Sequence, residues 1–112
     1  MASILPIFRT RSPARDQAGD TARRGSVRES INAALTEAQR EMSGLERRIS
    51  EGMLATVTLM DQSGSYQERS REDEAAIVEH ERETERANRR LVTLRGEIDR
   101  FTQMLRMIDE AV

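Results

Sequence analysis

The sequence contains no cysteine, no lysine and no tryptophan; proline occurs twice, and aromatic residues make up 3% of its 112 positions. Without cysteine there is no disulfide framework and no thiolate chemistry, which suits a reducing, cytoplasmic setting. Leu, Ile, Val and Phe together number 22. With so few apolar and aromatic side chains a broad sandwich or barrel core cannot be filled. The apolar run near the N-terminus, Ile4-Leu5-Pro6-Ile7-Phe8, is too short for a signal-peptide core or a membrane span. A large charge of one sign is also missing. The net charge of −2 does not force the chain to expand.

What the chain does have is helix-forming composition. Ala, Glu, Leu and Arg account for 52 residues, close to the half-share seen in long helices and coiled coils. The length allows one domain. All 18 basic residues are Arg. Six of them fall in residues 1–28 against two Asp, so this part carries +4 while the remainder carries −6. Residues 1–25 hold both prolines and show no helical periodicity, so a disordered Arg-rich tail is expected there. Within it, Ile4, Leu5, Ile7 and Phe8, followed by Arg9 and Arg11, form one adhesive motif.

From residue 26 the pattern is helical. Ser26-Val27-Arg28-Glu29 has the form of a capping box, Ser hydroxyl and Glu carboxylate each reaching the other's backbone N–H. Ile31, Leu35, Ala38, Met42, Leu45 and Ile49 then follow at steps of four and three, a heptad seam. Past Ile49 the strict register meets Gly52 and Thr56, and the apolar residues move to Met53, Val57 and Met60, a stutter. A strand over 53–60 is the competing assignment, given the β-branched Thr56, Val57 and Thr58, but no second strand offers it a partner. Gly64 predicts a turn over 63–65, and Ser65-Tyr66-Gln67-Glu68 a second capping box. The second seam runs Leu91, Leu94, Ile98, Phe101, Leu105, Ile108, Val112. Read backwards it becomes polar through Ala87, Thr84, His80, Ile77, Asp73, Ser70 and Tyr66.

The fold expected is all-α: a long antiparallel two-helix coiled-coil hairpin (helices 26–62 and 66–112) with a disordered N-terminal tail, dimerising into a four-helix bundle. Folding about Gly64 sets Ile31 near Ile98, Leu35 near Leu94 and Ala38 near Leu91. Two apolar stretches then lack a partner. One is Met53, Leu54, Val57 and Met60 near the turn. The other is the end of helix 2, with Phe101, Met104, Leu105, Met107, Ile108 and Val112, which should overhang the start of helix 1. These residues are the candidate surfaces for self-association or for a helical protein partner.

Chemistry is sparse. His80, flanked by Glu79, Glu81 and Glu83, is a candidate pH-sensitive residue, and it lacks the convergent ligands of a metal site. The acidic block Glu68–Glu85 is interleaved with Arg at helical spacing and suits a solvated face. No phosphate loop, nucleophile elbow or His–carboxylate dyad is present, so neither catalysis, cofactor nor small-molecule substrate is expected. The tail motif could touch nucleic acid, an anionic membrane surface or a groove on another protein. In layout, a long hairpin with free apolar ends, the chain is similar to small bacterial secretion and flagellar export chaperones and to many coiled-coil adaptors. That likeness is one of shape, and it implies an adaptor, chaperone or assembly subunit.

Overall fold

The computed structural model describes residues 12–63 and 70–110. It is an all-α hairpin of two long antiparallel helices, α1 (Pro13–Ser63) and α2 (Arg71–Glu110). The radius of gyration is 27.1 Å, about twice the ~13 Å of a compact domain of this length. A cross-section of 22 × 15 Å matches two helices side by side.

Helix α1 starts earlier than the Ser26 capping box predicts. Ser12 is its cap: the Arg15 backbone N–H donates to Ser12 Oγ (3.2 Å), and that of Asp16 to the Ser12 carbonyl (3.1 Å). Pro13 fills the first helical position, where its missing N–H costs nothing, and Asp16 faces the positive end of the helix dipole. Ala14, Ala18 and Ala22 favour helix, and Arg23 pairs with Asp20 one turn back. So 13–25 is helix, not disordered tail; the rest of the expected tail, 1–11, lies outside the described residues. Ser26 sits in mid-helix, its carbonyl accepting from the Ser30 hydroxyl (3.2 Å). The helix also runs through 53–60, ruling out the strand, with Thr56 Oγ1 donating to the Gly52 carbonyl (2.9 Å).

Helix α2 is capped by Ser70, whose Oγ accepts from the Asp73 N–H (3.0 Å), with Glu72, Asp73 and Glu74 in its first turn. Ser65 lies outside the described residues. Helix α1 includes Ser63, expected in the turn, and α2 begins at Arg71, later than the expected residue 66. The register shifts accordingly. Ala38 shares a groove with Leu94; Glu41 meets Arg90, and Arg28 meets Asp109.

The core is a single file. Leu94 (2% exposed), Ile77, Leu91 and Ala38 are its buried side chains among the described residues. Ile31, Leu35, Met42, Leu45, Ile49, Ile98, Phe101, Leu105 and Ile108 are half-buried along the same line. No stutter occurs. Gly52, Thr56 and Leu59 continue the strict heptad register and are half-buried, whereas Met53 and Val57 stay outside.

Two substitutions should move stability in opposite directions. Leu94→Ala empties the best-packed position and should cost about 2–5 kcal/mol, seen as a lower thermal midpoint by circular dichroism. Gly52→Ala should gain about 0.4–1 kcal/mol, since an added Cβ at Gly52 meets nothing within 4 Å and the residue lies inside a helix. A Gly52→Ala midpoint below wild type would contradict the packing described.

Candidate functional site

At the tip, where α1 ends and α2 begins, the seam holds Leu59 and Ile77 but is otherwise lined with small or polar groups: Gly52, Thr56, His80 and Thr84. Other large apolar residues of α1 are therefore left on its surface. Met53 is 57% exposed, Leu54 67% and Val57 53%. Met53, Thr56, Val57 and Met60 form one wall of an apolar groove; His80, Glu81, Thr84, Glu85 and Asn88 of α2 form the other. Met60 is half-buried, and Leu59 extends the apolar surface round α1 beside Leu54 and Ala55.

His80 lines this groove and also the one on the opposite side of the hairpin, with Leu45, Ile49 and Gly52, so it stands in the seam. Its carbonyl accepts from Thr84 Oγ1 (2.8 Å). Among the described residues no group of three or more His, Asp or Glu is arranged to hold a metal ion. The acidic face pairs partly as its spacing predicts: Arg89 meets Glu85 (3.0 Å), while Arg86 reaches Glu79 (3.4 Å) two turns back instead of Glu83.

At the other end, the base, the expected overhang is reversed. Arg28 Nε donates to Asp109 Oδ1 (2.9 Å), so α2 stops level with residue 28 of α1. It is α1 that continues, through residues 13–27, for roughly 22 Å at 1.5 Å per residue. Phe101, Leu105 and Ile108 are consequently half-buried in the seam. Met104 and Met107 (69% exposed) point outward, as does Val27. Val27 is one heptad before Ala34 and Met104 one heptad after Glu97, and Ala34 and Glu97 line one groove. The base patch thus lies on that side of the hairpin, across from the Glu81 and Glu85 rim of the tip groove. Val112 and the tail motif Ile4, Leu5, Ile7, Phe8, Arg9 and Arg11 lie outside the described residues.

Between the ends, Glu41 and Arg90 lock the two helices. Arg90 Nε and Nη2 donate to the two carboxylate oxygens at 2.6 and 3.0 Å, a fork that tolerates little sliding. The hydrogen bond from Arg90 holds the Glu41 carboxyl below the ordinary carboxylate range, desolvation opposes this, and the charges of Arg90 and Arg48 add to it.

Comparison of the chain with family models, with curated proteins and with solved structures gives no match. No helix among the described residues is long and apolar enough to cross a membrane.

Since the folded-state pKa of Glu41 is depressed, its contribution to stability is complete above the usual carboxylate range and is lost as pH falls through the lowered value. In a carboxyl-carbon NMR titration Glu41 should protonate at lower pH than a Glu free of such a partner, and Arg90→Gln should return it to the ordinary range. A Glu41 titration unchanged by Arg90→Gln would show that the fork does not form.

Proposed function

We propose that the chain is a non-enzymatic helical interaction module, an adaptor, chaperone or assembly subunit, that works by self-association through its apolar ends. The observation carrying this reading is the tip of α1, where Met53, Leu54 and Val57 are contiguous and each more than half exposed. Burying such a side chain fully is worth about 1.5–3 kcal/mol. A hairpin with four buried side chains among its described residues has few other sources of stability. A second hairpin supplies two more helices and turns a single-file seam into a bundle core. A cytoplasmic setting suits a cysteine-free chain of this kind.

Binding of nucleic acid or an anionic membrane surface is the alternative, and it draws less support. Its apolar motif lies in residues 1–11, outside the described part. Of the Arg residues on the first turns of α1, Arg23 and Arg28 already pair with Asp20 and Asp109.

Light scattering on the full chain over a micromolar concentration series tests the reading. The wild type should show twice the monomer mass. Met53→Ser combined with Val57→Ser, at positions facing away from the hairpin seam, should shift it towards monomer with helicity retained. A wild type that stays monomeric and fully helical, or a double variant that associates like wild type, would refute it.

A further inference from the structure

Among the described residues, the extension of α1, 13–27, has no helix of its own hairpin beside it, and nothing covers the tip groove. We propose that each is the other's partner in an antiparallel dimer, the extension of one copy lying in the tip groove of the second. The proposal rests on the reading of the chain as a self-associating module and goes further by fixing direction and register.

Three observations carry it. The first is length. Helix α1 spans residues 13–63, so two α1 helices laid antiparallel with full overlap have their two-fold axis at residue 38. Residue n of one copy is then level with residue 76 − n of the other, and 13–27 falls against 49–63, the stretch that contains the exposed apolar residues.

The second is charge. The tip, residues 51–63 and 70–85, holds nine acidic side chains against two Arg, or −7. The rest of the described chain, 12–50 and 86–110, holds 13 Arg against ten acidic side chains, or +3. A parallel or tip-to-tip dimer would bring −7 against −7, whereas the antiparallel arrangement sets the acidic tip against the extension 13–27, which holds three Arg against two Asp, or +1. In that register Arg24 stands level with Gly52, beside the Glu81 and Glu85 rim of the groove, and Arg15 level with Asp61, while Arg23, level with Met53, would exchange its contact with Asp20 for one across the interface.

The third is size. The extension presents Ala18, Gly19 and Ala22, and Val57 of the groove wall is level with Gly19 of the other copy. Large side chains on the tip thus meet small ones on the extension, the condition for close helix packing. A lone helix of some 15 residues is marginal in water, so the extension gains as much from being covered as the groove does.

The absence of native cysteine makes the test direct. Spin labels are placed in the full chain on Gln62→Cys and, separately, on Gln39→Cys, and distances within the dimer are measured by pulsed dipolar spectroscopy. The antiparallel register places the two labels at 62 roughly 70 Å apart, from 24 residues on each side of the axis at 1.5 Å each, and the two at 39 within about 30 Å. A dimer with short distances at 62, or with long distances at 39, overturns the arrangement while leaving self-association intact; a monomer in light scattering overturns both. A charge-reversal pair tests the contact. Arg23→Glu with Arg24→Glu should weaken dimerisation roughly tenfold or more, and adding Glu81→Arg with Glu85→Arg should restore it. Loss without restoration would mean that the two Arg act only within their own helix, and the proposal would fall.

Discussion

Leu94 of α2 fits where α1 presents Ala38, a large side chain against a small one, and the hairpin depends on that fit. Leu91 and Leu94 are buried there, and the Glu41–Arg90 fork closes alongside. Away from this point contact continues as a line of half-buried residues without widening. A two-helix pair gives each helix one neighbour, so its interior can never be more than one seam wide. The low apolar content of the chain and its 34% charged residues are what such a seam and its solvated flanks require.

Much of this was legible in the sequence. The heptad steps of Ile31–Ile49 and Leu91–Ile108 placed both seams, and the structure keeps them without a slip. Boundaries and register were less legible, for identifiable reasons. Ser26–Glu29 satisfies the capping pattern as well as Ser12-Pro13 does, and only backbone hydrogen bonding distinguishes a cap from a mid-helix Ser. The signal was nonetheless present: Ser followed by Pro, with Asp16 in the first turn, and Ala at 14, 18 and 22. Moving that one boundary reverses which helix overhangs the other. At the far end Gly64 drew the turn towards itself, whereas Ser70 has the acidic first turn that completes a helix start.

The tip shows where hydrophobicity misleads as a guide to burial. Met53 and Val57 look like a shifted seam because they are larger and more apolar than Gly52 and Thr56. Yet the register set by Ala38 and Leu94 continues mechanically along a stiff helix, and Gly52 and Thr56 occupy the inside because of where they fall. The apolar side chains are thereby turned outward beside an acidic rim. The exposed apolar side chains and the unpaired start of α1 are thus two results of one register, and with the acidic charge of the tip they underlie both the proposed module and its proposed direction of assembly.

The position of the best contact also bears on how the chain folds. Ala38 and Leu94 are 56 residues apart, whereas the seam residues nearest the connection, Leu59 and Ile77, are 18 apart. Ile77 (3% exposed) gives the turn end one buried anchor, while Ala38, Leu91 and Leu94 give the middle three. The shorter loop costs about 1 kcal/mol less in chain entropy to close, so the end with fewer anchors is the one that closes most cheaply.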